Sequence, residues 1–249
     1  MMDEKWAFIT GSNRGIGEAA AEKFLAAGYH IYAHCRCHTE EFEQKMNAWK
    51  TKYGREVKEI CFDLTDSEAM KTAMKELIKA KQQIDVLVNN GGVTHTGLFQ
   101  LTDMQTIREV FDVNLFGTME LTQYVIKLMQ KKKRGSIVNI SSITGEDLGI
   151  GQCAYGVSKA AVAAFTKTLA AEMRNYGIRV NAVAPGMVYT RMTESEEMSA
   201  AKTGIENGKG PFGRLAEPQE IAEAVYYLGS EASGYVTGQV LRVDGGNRL

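Results

Sequence analysis

Seven short apolar, β-branched runs alternate with longer stretches of helical period, and this alternation constrains the fold more than any single motif. The runs are WAFIT (6–10), HIYAH (30–34), VKEICFD (57–63), DVLVNN (85–90), SIVNIS (136–141), RVNAVAP (179–185) and QVLRVD (239–244). Helical stretches cover 16–27, 39–53, 67–81, 103–131, 155–176 and 218–229. In the last of these, Ile221, Ala224, Val225 and Leu228 recur at i, i+3, i+4 and i+7, which marks one buried face. Strands joined through helices must cross over, which pairs them in parallel and in a right-handed sense. Their runs are continuously apolar, as a sheet covered by helices on both faces requires. The expected fold is therefore α/β: one doubly wound domain over 1–249 with a seven-stranded parallel sheet.

The bulk properties narrow the function. A net charge of −1 gives no global attraction to nucleic acid or to an anionic membrane surface. No apolar run approaches the length of a membrane-spanning helix, and MMDEKWAFIT carries acids where a signal peptide would be basic, so the chain is expected in the cytoplasm. The four cysteines show no disulfide framework. HCRCH (34–38) sets two of them one residue apart, where zinc sites use two to four, and no second ligand pair appears. It reads as a strand end, with no metal site. Residues 190–213 are polar, glycine-dotted and weakly periodic, and a connection that long is expected to act as a substrate lid.

TGSNRGIG (10–17) falls between a strand and a helix, where a glycine-rich turn binds phosphate. Gly11 permits the tight turn, Gly15 lets a pyrophosphate approach the backbone, and Gly17 allows close helix packing. Ser12, Asn13, Arg14 and Ile16 complete the loop, and the helix N-terminus presents free N–H groups to an anion. A Rossmann-type nucleotide site follows. At the end of the second strand stand Cys35 and Arg36, with no acid before Glu40. Two guanidiniums, Arg14 and Arg36, suit a ribose 2′-phosphate that a carboxylate would repel, so NADP(H) is the expected cofactor.

With that loop, NNGG (89–92), NISS (139–142), Tyr155 and Lys159 one helical turn apart, and PGMVYT (185–190) in order, the chain resembles the short-chain dehydrogenase/reductase family over essentially its whole length. GRLAEPQEIAEAV (213–225) and VTGQVLRVDGG (236–246) are most similar to the branch that reduces 3-oxoacyl groups on acyl carrier protein. The resemblance implies that Ser142 hydrogen-bonds the substrate carbonyl, that Tyr155 is the general acid, and that Lys159 activates Tyr155 and binds the nicotinamide ribose. It implies that Asn114 holds a water linking Lys159 to solvent. It places Asp63 at the adenine, Asn90 and Gly91 at the adenosine ribose, and Val188 and Thr190 at the carboxamide, with Leu64, Gly92, Pro185 and Gly186 also binding the cofactor. A homotetramer is expected, since the helices over 103–131 and 155–176 are rich enough in small and apolar residues to serve both core and symmetric interface. Gly92 departs from the family's usual alanine.

The chemistry asks for the same set. Hydride delivery to a ketone builds charge on oxygen, so a proton donor must stand about 3 Å away. A phenol with a cation about 4–6 Å away is expected to have its pKa lowered. His95 reads as an exposed loop histidine. KKKR (131–134) falls where the branch carries one basic residue for docking an acidic carrier protein near the active-site mouth; where its second arginine usually stands is Tyr176, with Arg174 nearby. The alternative substrate is a free sugar, steroid or small ketone. A non-catalytic NADP(H) sensor is argued against by the intact Ser142, Tyr155 and Lys159 set.

Overall fold

The computed structural model describes residues 4–147, 149–190 and 211–246; most of the expected lid, 191–210, lies outside them. In chain order the principal elements are β1 (Trp6–Ile9), α1 (Gly15–Ala26), β2 (His30–Cys35), α2 (Glu40–Tyr53), β3 (Val57–Cys61), α3 (Ser67–Lys79), β4 (Val86–Asn89), α4 (Met104–Phe111), α5 (Thr118–Lys132), β5 (Gly135–Ile140), α6 (Cys153–Met173), β6 (Ile178–Pro185), α7 (Pro218–Gly229) and β7 (Val240–Val243). The seven strands form one parallel sheet in the order β3-β2-β1-β4-β5-β6-β7. Winding runs outward to β3, then restarts at β4 on the other side of β1. That switch point opens a crevice at the carboxyl ends of β1 and β4, the usual ligand position in such sheets.

Burial explains the apolar runs. Every residue of β1, β2, β4 and β5 is buried. One face of the sheet packs on α1, α2 and α7 through Phe24, Phe42, Trp49, Ile221 and Val225. The other packs on α3, α5 and α6 through Met70, Met74, Leu121, Val125 and Leu169. Local signals set the helix ends. The Thr39 side chain accepts the Phe42 N–H at the start of α2, and the Asp66 side chain caps α3 through the Ala69 N–H. Pro218 opens α7 behind a capping box of Glu217 and Glu220.

The helix expected over 103–131 is interrupted. Between α4 and α5 lies a π-helical turn, Asp112–Gly117, that accommodates an extra residue without ending the rod. Asn114 sits in it, buried.

Beneath the carboxyl ends of β4 and β5 runs a buried polar chain. The Asn89 amide donates to Thr122 Oγ1 at 3.0 Å and to Asn139 Oδ1 at 2.8 Å. The Asn139 amide donates onward to Thr166 Oγ1 on α6 at 2.8 Å. Each buried polar group left unpaired costs about 1–3 kcal/mol. Asn139→Ala is accordingly expected to lower the unfolding free energy by about 2–4 kcal/mol, measured by urea denaturation.

Candidate active site

The glycine loop is held from three strands. Gly11 and Gly15 have φ of +63° and +58°, the left-handed region. A methyl on Gly17 would stand 2.2 Å from the Gly11 carbonyl oxygen, so only glycine lets α1 start this close to the loop. From β4, the Asn90 amide donates to the Thr10 and Gly11 carbonyls at 2.9 and 3.2 Å, while Thr10 Oγ1 accepts the N–H groups of Asn90 and Gly91. From β2, the His34 carbonyl accepts both the N–H and the hydroxyl of Ser12. At Arg14, where α1 begins, no side chain caps the helix, which leaves its first N–H groups facing the crevice.

His34 is a part of this site that sequence reasoning missed. Its Nδ1 accepts the Gly11 N–H at 3.3 Å, so Nε2 carries the proton and donates to the Phe62 carbonyl at 3.0 Å. The ring is buried beside Phe8 and Phe62. It links the loop to the end of β3, where Asp63 Oδ1 accepts the N–H and hydroxyl of Thr65. Burial pushes the Asp63 carboxyl up, but the bonds from Thr65 and the nearby Arg36 and His34 hold it below the ordinary value overall. Arg14, in the glycine loop, and Arg36, just past the end of β2, are both exposed. Thr190 packs over Gly15, and Val188 is fixed by a bridge to Ala216. Pro185 ends β6 and Gly186 follows it, its N–H donated to the Val243 carbonyl. The Leu64 side chain lies against Gly91.

Deeper along β5, Ser142 starts a short turn whose other residues use it as an acceptor. Thr144 donates to Ser142 Oγ twice, through its N–H at 3.2 Å and its hydroxyl at 2.8 Å. A hydroxyl has two acceptor sites and one proton, so the Ser142 proton remains available to donate. Ser142 is also the neighbour that favours ionisation of the buried Tyr155 phenol, against the effect of burial. Thr144 is the second residue that sequence reasoning missed, because its importance lies in a hydrogen bond rather than a motif. Lys159 is buried; its Nζ donates to the Ile140 carbonyl at 2.8 Å and lies 5.8 Å from the centre of the Tyr155 ring.

The electrostatics differ from expectation. Burial pushes the Tyr155 phenol up, and Ser142 only partly offsets it. Burial also pushes the Lys159 amine down to about 8. Desolvation favours the neutral form of both groups. Asn114 joins the cluster as a brace. Its Oδ1 accepts the Val93 N–H at 2.8 Å, and its Nδ2 donates to the Val93 carbonyl at 2.9 Å and to Ser158 Oγ at 3.0 Å. A methyl at Gly92 would stand 3.0 Å from Asn114 Oδ1. His95 is half-buried rather than exposed, with Nε2 3.2 Å from Thr102 Oγ1.

The basic segment lies elsewhere than its expected place at the site mouth. Lys131 to Arg134 end α5 immediately before β5 begins, and Arg134 lines a cleft with Lys5, Arg174 and Arg179. That cleft is at the amino ends of the strands. Ser142 follows the opposite end of β5, a six-residue strand of about 20 Å.

A sheet wound in this way, with a hydroxyl, a phenol and an amine gathered at its carboxyl edge, defines a class of single-domain oxidoreductases. The family model described as enoyl-(acyl carrier protein) reductase matches residues 11–248. The chain is 38% identical to 3-oxoacyl-(acyl-carrier-protein) reductase FabG of Aquifex aeolicus, covering 97% of this chain and 96% of that one. It is 39% identical to acetoacetyl-CoA reductase of an Acinetobacter species, over 99% and 98% of the two chains. A solved structure of an ElxO variant with NADPH bound superposes with a TM-score of 0.88 at 33% identity, covering 98% of both chains. This protein belongs to the short-chain dehydrogenase/reductase family.

The His34 geometry has a measurable consequence. The folded protein resists protonating this ring until about pH 4, against 6.5 for an ordinary histidine. Its folded pKa is lowered, so its contribution to stability is complete above about pH 6.5 and is lost as pH falls toward 4, by about 3 kcal/mol. His34→Asn should remove this component, and urea unfolding of both proteins between pH 7 and pH 4 reads the difference.

Proposed function

We propose that this protein is an NADPH-dependent carbonyl reductase whose preferred substrate is a 3-oxoacyl thioester on an acyl carrier protein. The observation that carries the reading is the gathering of Ser142, whose hydroxyl proton Thr144 leaves available, with Tyr155 and the buried Lys159 amine 5.8 Å from the centre of the Tyr155 ring. The glycine cradle fits a dinucleotide: Gly17 leaves no room for a methyl, and the uncapped start of α1 offers its N–H groups to a pyrophosphate. Gly11 to Gly17 would hold the phosphates, Arg14 and Arg36 the 2′-phosphate, Asp63 and Leu64 the adenine, and Asn90, Gly91 and Gly92 the adenosine ribose. Pro185, Gly186, Val188 and Thr190 would border the nicotinamide. When bound, the reduced cofactor supplies the hydride.

The residues of the chain do the rest. Ser142 donates its one proton to the substrate oxygen. Tyr155 stands beside it as the proton donor. A phenol whose pKa burial has raised stays protonated at neutral pH, which is the form a reduction needs, and it readily yields its proton to an alkoxide, a far stronger base than phenolate. Lys159, anchored on Ile140, holds the space behind Tyr155 and supplies positive potential to the developing anion. Asn114 fixes Val93 against Ser158 and so keeps α6 in place.

Carrier docking would use Lys131 to Arg134 and Arg174, and an acidic carrier bound there would reach the active site of a neighbouring copy rather than its own. Self-association is supported by the exposed Phe99, Leu101, Met104, Phe116 and Val157 around α4, the π turn and the start of α6.

NADPH oxidation with acetoacetyl carrier protein, acetoacetyl-CoA and a free ketone tests the substrate. The carrier-bound form should give the highest kcat/KM, falling as salt is raised past about 0.1 M, where screening acts within about 10 Å; equal rates on the free ketone would overturn it. Tyr155→Phe should keep NADPH affinity while turnover drops about 10²–10⁴-fold. Arg36→Asp should weaken NADPH binding far more than NADH binding, and equal losses by fluorescence titration would refute the 2′-phosphate assignment.

A further inference from the structure

Outside the residues used above, the carboxyl edge of the sheet carries a pair of thiols where β2 and β3 end. Cys35, the last residue of β2, and Cys61, the last residue of edge strand β3, are direct partners in the parallel register, so both side chains stand on the same face of the sheet. Cys35 is buried and Cys61 exposed. The Cys35 Sγ donates to the Glu59 carboxylate at 3.5 Å, and Cys61 is among the neighbours that push the Cys35 thiol up. Paired strands sit about 4.8 Å apart, inside the Cα separation that a disulfide spans. The Cβ atoms must approach by a few tenths of an ångström more than strand spacing gives. Cys61 can make that approach, because β3 pairs on one side only and ends at this residue.

We propose that Cys35 and Cys61 form a reversible disulfide under mild peroxide, and that this bond weakens cofactor binding. The exposed Cys61 reacts first, as thiolate: its sulfur attacks a peroxide oxygen, the O–O bond breaks and hydroxide leaves, giving a sulfenic acid. The Cys35 sulfur then attacks the Cys61 sulfur. The S–S bond forms, the S–O bond breaks, and the departing hydroxide takes up the Cys35 proton, relayed through Glu59, as water. Two thiols and one hydrogen peroxide thus yield one disulfide and two waters, with two electrons passing to the peroxide. Burial pushes the Cys35 thiol up, which suits the resolving rather than the attacking role. Arg36 follows Cys35 directly, and Phe62 and Asp63 follow Cys61. Tightening this pair shifts the groups proposed to hold the adenosine and 2′-phosphate. The effect on affinity rests on the NADPH reading above; the bond itself does not.

The test treats the full-length protein with stoichiometric hydrogen peroxide, alkylates it and maps its peptides. A Cys35–Cys61 linked peptide is expected, with NADPH affinity down at least about 5-fold and restored by dithiothreitol. Cys61→Ser, a surface change, should abolish both effects. Cys35→Ser should leave a Cys61 sulfenic acid that dimedone traps. Cys61 oxidising to sulfinic acid without a link, pairing with Cys37 or Cys153, or remaining alkylatable would overturn the proposal. A link that leaves NADPH affinity unchanged would overturn the control of binding. If the reduced protein binds no NADPH, the cofactor reading fails, while peptide mapping still decides whether the bond forms.

Discussion

How closely the chain after β1 can approach the first turn of α1 governs everything at the carboxyl edge of this sheet. Gly17 reduces that distance until no side chain could fit, and the surrounding groups close on the loop so formed. Asn90 bonds two loop carbonyls, Thr10 takes two N–H groups from β4's end, and His34 accepts the Gly11 N–H. The loop is therefore tied to β1, β2 and β4 at once, which aims the helix dipole and its free donors at one point. Ser142 and Tyr155 are fixed relative to that point because β5 pairs directly with β4.

Much of this was readable in the residues. Continuous apolar runs located all seven strands, although several pair over fewer residues than the run contains, because a strand ends where its ladder ends. The stretch 103–131 read as one helix because a π turn inserts a residue without breaking the apolar pattern; only packing reveals it. His34 and Thr144 were silent for another reason. Each matters through a partner that sequence spacing does not announce: Gly11 lies twenty-three positions from His34, and Thr144 serves an oxygen two residues back. The site of the basic segment 131–134 depended on knowing which end of β5 it meets, which is a matter of topology rather than motif.

The phenol and amine also differ from what spacing alone implies. One helical turn brings Lys159 beside Tyr155, yet the amine is bonded to a main-chain carbonyl and both groups have lost water. The amine, lowered only to about 8, still carries its charge at neutral pH beside a phenol that keeps its proton. Such a pair gains most from any anion that forms nearby, since that charge arises where little water screens it.

The polar chain from Asn89 through Asn139 to Thr166 has a mechanical consequence. A helix that slips one residue along its axis moves about 1.5 Å and turns about 100°. For α6, that slip would carry Thr166 out of reach of Asn139 and swing the phenol away from the crevice together. An interior hydroxyl eleven residues from Tyr155 along the helix, held by the Asn139 amide, thus serves as an indexing pin, and the alignment of the reactive edge is set from below, on the side no substrate touches.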